Sequence, residues 1–237
     1  MSDKMKLGDR MKENYENVTR IFLPRRTNTI IRLDGKAFHT FTRGCAKPFD
    51  HQLMNAMTET AQFLCENIQG AQLAYTQSDE ISLLLTDYAK IKTDAWMKGN
   101  LQKICSISAS YATAAFAKAY PSDAPAFFDG RAFTIPDDEE VVNYFVWRQK
   151  DWERNSLNML AQSLYSHKSL QGKKHPELHD LIHTAGANWN DLRLDEKRGS
   201  ICTYLDGQWK LEAAPIFTKY RSVIRNLLIR NYEEPQS

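Results

Sequence analysis

Cysteine is scarce and scattered. The four thiols of this 237-residue chain, Cys45, Cys65, Cys105 and Cys202, form no CxxC pair. Their spacing suits neither a zinc site nor a disulfide framework, and fits reduced thiols in a cytosolic setting. No apolar run approaches the roughly 18 residues that a membrane span needs. The opening residues, MSDKMKLGDRMKENYE, lack the apolar stretch of a signal peptide. The expectation is a cytoplasmic protein that meets no membrane. Gly/Ser linkers, low-complexity tracts and internal repeats are also missing. So is an excess of one charge: 31 Lys and Arg against 29 Asp and Glu leave +2, which permits nucleic-acid binding without arguing for it. What remains is an ordinary globular composition, 42% hydrophobic and 25% charged. A chain of this length buries a normal core without disulfides or structural metal.

Hydrophobic periodicity supplies the architecture. Met5, Met11, Tyr15 and Val18 among charges predict an amphipathic helix over the first twenty residues. TIIRL at 29–33 is a strand, stopped by the turn signal Asp34-Gly35. Asp50 is a plausible N-cap for a helix carrying Leu53, Met57, Thr60, Phe63, Leu64 and Ile68, with Gly70 closing it. Strands are predicted over 71–76 and 81–85, joined by the turn Gln77-Ser78-Asp79-Glu80. A helix follows over 97–119, then breaks at Pro121 and Pro125, then a strand over 131–135. The order β-α-β-β-α-β is the ferredoxin-like arrangement of an α+β protein. A long helix starts at Pro136-Asp137-Asp138, and another covers 177–187. SICTYL-DG-QWKLE signals a hairpin in which Asp206-Gly207 suits a type I′ turn. The chain divides into a sheet domain, residues 1–135 with its N-terminal helix, and a helical extension, 136–237, packed upon it. Tyr144, Trp147 and Trp152 read as the extension's buried stripe. His179 and His183 have a metal-compatible spacing but no third ligand, so they read as surface or packing residues.

Topology brings acids together. In this fold the first and third strands are antiparallel neighbours. Asp34 ends the first, and Asp79 and Glu80 open the third. The two acidic turns, each unremarkable alone, therefore meet at one sheet edge. Clustered carboxylates repel unless a cation neutralises them. Mg²⁺ suits, because it takes few protein ligands and leaves positions for phosphate. Two such ions can activate an attacking oxygen and steady a leaving one. Alternation places Arg32 on the face of Asp34, where it could pair with phosphate. Gly35 allows close backbone approach, and the amides that follow it could cradle phosphates.

IIRLDGKAFHTF, AKPFD, YTQSDEISLLL and YFVWRQKD resemble the tRNA-histidine guanylyltransferase family, which includes 3′→5′ nucleotide polymerases that repair tRNA 5′ ends. The resemblance runs from Arg25 to Lys174 and implies a polymerase-palm-like catalytic domain. It implies that Asp34 and Asp79, with the Gly35 carbonyl, bind two Mg²⁺, and that Glu80 is the acid beside the second metal ligand. It also implies nucleotide contacts from Arg32, Asp34, Gly35, Lys36, Ala37, Phe38, His39, Lys47, Asp50, Ser78, Asp79 and Lys103. The implied partners are tRNA, ATP, GTP and other NTPs, and the implied assembly is a homotetramer built as a dimer of dimers. Two departures stand out. KGNLQK lacks the arginine pair that often precedes the lysine at 103. ERNSLNM at 153–159 replaces the His-Ile-Asn-Asn-Leu-Tyr-Asn signature of the histidine-tRNA enzymes. The second departure points to the guanylyltransferase-like branch, which extends 5′-truncated tRNA by templated addition.

By this resemblance a 5′-monophosphorylated tRNA is activated by ATP. The 3′-hydroxyl of an NTP then attacks the activated phosphate. The extension's Arg154, Asn155, Lys173 and Lys174 are the candidates for gripping tRNA, although such a basic loop is more often merely solvated. A histidine-specific guanylyltransferase, a non-catalytic RNA-binding module and a nucleotide cyclase remain the alternatives.

Overall fold

The computed structural model describes residues 5–230; residues 1–4, part of the predicted N-terminal helix, and 231–237 lie outside it. Six strands form one antiparallel sheet: β1 (Asn28–Gly35), β2 (Ala71–Gln77), β3 (Glu80–Leu85), β4 (Phe128–Ile135), β5 (Ser200–Leu205) and β6 (Gln208–Ala213). Their spatial order is β4-β1-β3-β2-β5-β6. The first four strands reproduce the ferredoxin-like order. The hairpin joins them: β5 pairs with β2, setting Ile201 opposite Tyr75. Its turn has Asp206 at φ 53° and Gly207 at φ 82°, both positive as type I′ requires.

Among the described residues the α-helices are α1 (Leu7–Met11), α2 (Phe38–Phe41), α3 (His51–Asn67), α4 (Leu101–Ala119), α5 (Asp138–Leu164), α6 (His167–Leu170), α7 (His175–Thr184), α8 (Leu194–Arg198) and α9 (Ser222–Arg225). α1 continues into a wider turn at Lys12–Glu16 and buries no residue. α3 begins where Asp50 accepts the Leu53 amide at 2.9 Å. α4 starts later than periodicity predicts. Met97 and Lys98 take left-handed φ angles of 51° and 53°, and the Asn100 side chain caps Lys103 at 3.0 Å. α5 opens on Asp137, whose side chain accepts the Glu140 amide at 2.9 Å. Three acids in its first turn favour the positive end of the helix dipole.

Alternation along β1 separates two cores. Ile31 and Leu33 join Met57, Leu64, Ile104 and Phe116 beneath α3 and α4. Ile30 joins Leu73, Tyr75, Leu84, Phe145 and Phe217 beneath α5 and the C-terminal segment. Each fully buried aliphatic or aromatic side chain contributes about 1.5–3 kcal/mol relative to exposure. A third cluster, Leu157, Leu160, Leu178 and Ile182, ties α7 to the far end of α5. The line that α5 turns to the sheet runs through Tyr144 and Arg148, which meet Ser82 and Glu80; four residues on, Trp152 packs on Phe49. Trp147 falls beside that line and is 54% exposed, unlike the buried position its sequence context suggests. Among the described residues no helix is long and apolar enough to cross a membrane.

Candidate active site

Cross-strand register builds the site. Asp34 pairs with Glu80 of β3 and with Asp129 of β4, while Glu80 pairs with Gln77 of β2. Directly opposed residues share a face. One sheet row therefore reads Asp129, Asp34, Glu80, Gln77, and the row behind it Arg131, Arg32, Ser82, Tyr75. The expected meeting of acids is present, with Glu80 rather than Asp79 opposite Asp34. Asp79 stays in the turn, tied to the end of β1 by the Gly35 amide, which donates to the Asp79 carbonyl at 3.0 Å.

Glu80 is only 5% exposed, and its charge is met from two elements. Arg148 of α5 donates through Nε to Oε1 at 2.7 Å and through Nη2 to Oε2 at 2.6 Å. Arg32 brings Nε within 3.4 Å of Oε2 and Nη2 within 3.4 Å of Asp34 Oδ2. Ser82 Oγ donates to Glu80 Oε1 at 3.3 Å and lies 2.8 Å from the Tyr144 hydroxyl. Burial, reinforced by the Glu80 charge, pushes the Tyr144 phenol up to about 12. Arg148 also reaches Asp151 at 3.2 Å, and Asp151 pairs with Arg154. Removing one partner of a buried pair strands the other charge, at a cost of about 3–5 kcal/mol. Arg148 carries no role in the sequence reading. Its signal lay inside YFVWRQKD, but nothing there said which residue of the helix would point at the sheet.

Asp79 differs from Glu80 in having, among the described residues, no cationic side chain paired with it. Burial raises its carboxyl above the usual range, the nearby Asp34 and Glu80 charges add to this, and the Ser78 hydroxyl at 2.9 Å only partly offsets it. Ser78 sits at φ 51° and Ala37 at φ 56°; these two left-handed residues shape the turns on either side of a cleft of about 330 Å³. Gly35, Ala37, Phe38, His39, Ser78 and Asp79 line it. Phe38 anchors that wall, buried against Phe41, Phe116 and Phe128. The Gly35 and Lys36 amides serve the fold, Lys36 donating to the Phe127 carbonyl at 2.8 Å. The Ala37, Phe38 and His39 amides open α2, where N–H groups lack intrahelical acceptors.

The donors present suit a hard divalent cation. Asp34 and Asp79 are carboxylates at one sheet edge; burial first, and the neighbouring Asp34 and Glu80 charges after it, raise the Asp79 carboxyl, a penalty that a bound cation would offset. Among the described residues no three His, Cys, Asp or Glu side chains gather as a ligand set. Two carboxylates with backbone oxygen fit Mg²⁺, which keeps several positions for water and phosphate.

The other expected residues sit elsewhere on the frame. Asp50 gives both oxygens to backbone amides, those of Leu53 and Ala46; the Leu53 hydrogen bond holds its carboxyl below the usual range despite partial burial. Lys103 lies exposed in the first turn of α4 and Lys47 precedes α3, also exposed. Arg154 is exposed and engaged with Asp151, and Asn155 follows it on α5. Lys173 pairs with Glu177 at 3.2 Å, while Lys174 donates its backbone amide to Glu177 at 2.9 Å. His179 packs edge-to-face on Trp189, with ring centroids 6.0 Å apart.

The sequence model described as tRNAHis guanylyltransferase matches residues 8–136, more than half of the chain and all of the acidic edge. The chain belongs to the tRNAHis guanylyltransferase family. A solved structure titled as a bacterial tRNA(His) guanylyltransferase (Thg1)-like protein in complex with ATP superposes with a TM-score of 0.91 at 45% identity. The match covers 95% of this chain and 100% of that one. The tRNA(His) guanylyltransferase of Schizosaccharomyces pombe is 30% identical over 218 residues, 83% of this chain and 81% of its own. The probable tRNA(His) guanylyltransferase of Mus musculus is 33% identical over 141 residues, and the chain spans only 44% of its length. The family's α+β fold is that of the present sheet and its two helical layers.

Proposed function

We propose that this family member is a Mg²⁺-dependent nucleotidyltransferase that adds nucleotides in the 3′→5′ direction to the 5′ end of truncated tRNA, with base pairing to the opposite strand selecting each NTP. The observation that carries this reading is that Gly35 and Asp79 line a cleft of nucleotide size, with the Gly35 amide tying the Asp79 turn to the strand on which Asp34 sits. The ATP complex of the bacterial relative supports a nucleotide as the cleft's occupant.

Asp34, Asp79 and the Gly35 carbonyl are the proposed holders of two Mg²⁺. Bound ions supply positive charge that lowers the pKa of an attacking hydroxyl and steadies the triphosphate. The rest is positioning, as in phosphoryl transfer generally. Ser78 orients the Asp79 carboxylate. Ala37, Phe38 and His39 present amides to phosphate oxygens. Lys36, Lys47 and Lys103 add charge for the triphosphate, and Arg32 steadies Asp34. ATP is attacked by the tRNA 5′-phosphate, forming a 5′-adenylylated end and releasing pyrophosphate. The 3′-hydroxyl of the incoming NTP then attacks the 5′-phosphorus, and AMP leaves. Selection by pairing asks only for a shape-tolerant slot, with RNA gripped through phosphates and 2′-hydroxyls. Arg154, Asn155, Lys173 and Lys174 on the 136–237 extension are proposed for that grip, within a cytoplasmic homotetramer.

The decisive experiment gives the protein a 5′-monophosphorylated tRNA lacking its first nucleotide, with ATP and all four NTPs. Incorporation should follow the opposing base. Addition of G whatever the opposing base would favour the second reading, a histidine-tRNA guanylyltransferase, which the names of the relatives support. Unchanged incorporation by D79N would remove Asp79 from the site.

A further inference from the structure

Four carboxylates stand at the edge, those of Asp129, Asp34, Asp79 and Glu80, yet the proposed site uses two. Asp34 has two direct cross-strand partners, Glu80 on β3 and Asp129 on β4; Asp129 is exposed and Glu80 is buried. A free carboxylate in that position would be a ready ligand for a hard cation. It is not free. The Arg148 guanidinium grips both of its oxygens, at 2.7 and 2.6 Å, from a side chain that is itself 7% exposed. Arg148 is fixed in turn by Asp151 at 3.2 Å and by the Trp147 ring, whose centroid lies 4.5 Å from its Cζ. The fork geometry matters, since two parallel N–H···O bonds leave a carboxylate little freedom to swing.

We propose that Arg148 is a positioning residue that withholds Glu80 from the metal shell, so that Asp34 and Asp79 are the carboxylates that hold the cation, beside the Gly35 carbonyl. The inference rests on the metal-site reading above. Its physical content is a charge count. Asp34, Asp79 and Glu80 carry three negative charges, and Arg32 and Arg148 return two; the neighbouring Asp129 is matched by Arg131 at 3.4 Å. Removing Arg148 leaves a stronger negative field and a Glu80 carboxylate met through longer contacts, from Arg32 Nε at 3.4 Å and Ser82 Oγ at 3.3 Å, which a cation can displace. Both changes tighten cation binding. Both also spoil catalysis, because an extra ligand fills a position that phosphate or the attacking hydroxyl needs.

The test uses the full-length protein, with Mn²⁺ as the probe and free Mn²⁺ followed by its paramagnetic resonance. R148M should bind Mn²⁺ about fivefold or more tightly, while its single-turnover nucleotide addition falls about a hundredfold, by the weight of buried charge pairs and catalytic positioning. E80Q/R148M removes both charges. It should return Mn²⁺ affinity to within about twofold of the parent and recover at least about tenfold of the rate, because no stranded carboxylate remains. A purely structural role predicts a different pattern: lower melting temperature and slower addition with Mn²⁺ affinity unchanged or weaker, and no recovery in the double variant. That pattern would overturn the proposal. If R148M does not fold, E80Q/R148M and R148K carry the comparison, since Lys keeps the charge but loses the fork. In that series, unchanged Mn²⁺ affinity in R148K counts against Glu80 capture. D79N separates the two failures: Mn²⁺ binding kept in D79N would sink the site reading itself, and Mn²⁺ binding lost there leaves the Arg148 series to decide.

Discussion

The Gly35 amide donates to the Asp79 carbonyl at 3.0 Å, so one backbone hydrogen bond couples the end of β1 to the turn before β3 and sets the spacing of the two proposed metal acids. Gly35 has no spare room. A Cβ there would meet Phe38 ring atoms at 2.3–2.7 Å, and that ring is locked among Phe41, Phe116 and Phe128. G35A therefore cannot be absorbed by a flexible side-chain end. It should cost about 1–3 kcal/mol, as overpacking does, and weaken NTP binding by displacing Phe38 from the cleft wall. Thermal unfolding and a fluorescent-nucleotide titration measure the two effects. Parent-like values in both would show that the edge tolerates a shift.

Asp79 makes the metal-free protein pH-sensitive. Its carboxyl is raised by burial first and by Asp34 and Glu80 next. A group whose folded pKa exceeds its unfolded value contributes stability at low pH and loses it as pH rises through the folded pKa. Ionised Asp79 thus disfavours the metal-free fold at neutral pH. D79N should melt higher than the parent at pH 7 without divalent ions, and the gap should close as pH falls below the ordinary Asp range. Added Mg²⁺ should raise the parent's melting temperature and leave D79N unmoved. A D79N protein less stable than the parent at pH 7 without metal would contradict this.

Where the chain's own period decided geometry, the sequence was readable. Alternation in TIIRLD put Ile31 and Leu33 on one face and Ile30, Arg32 and Asp34 on the other, which the two cores bear out. The antiparallel β1–β3 pairing followed from element order, and Asp206-Gly207 announced its turn. Register was less readable: Glu80 rather than Asp79 opposes Asp34 because the turn keeps Asp79 for itself. Contacts set by docking were not readable at all. Arg148 is 68 residues from Glu80, and its aim depends on how Val142, Tyr144 and Phe145 seat α5 on the sheet. The hairpin's place beside β2 depends likewise on an open sheet edge, which no local pattern encodes. Trp147 looked like a core residue because its type is usually buried; its angular position on α5 decided otherwise.

Tyr144 offers a mild perturbation of the Glu80 network. Its hydroxyl lies 2.8 Å from Ser82 Oγ, which in turn donates to Glu80. Y144F keeps the ring packed on Phe133 and Phe145 and deletes one buried hydrogen bond. A loss of about 0.5–1.5 kcal/mol in urea unfolding is expected, with nucleotide addition slowed less than in R148M. Equal losses of rate in Y144F and R148M would mean that the network acts as one unit through the tyrosine.

The basic residues before α7 test the RNA reading apart from the chemistry. Lys173 is exposed, and its side chain pairs with Glu177, four residues on; such pairs contribute about 0.3–0.5 kcal/mol. Replacing Lys173 and Lys174 by Ala should therefore leave the fold within about 0.5 kcal/mol of the parent. If both lysines meet tRNA phosphates, the variant should bind tRNA more weakly whatever the acceptor sequence. The slope of log affinity against log salt should then become shallower by about one per lysine. Addition to a saturating tRNA should proceed at the parent's rate, because neither side chain belongs to the acidic edge. An unchanged salt slope would return both lysines to the solvent, and the grip on RNA would have to be sought at Arg154 and Asn155.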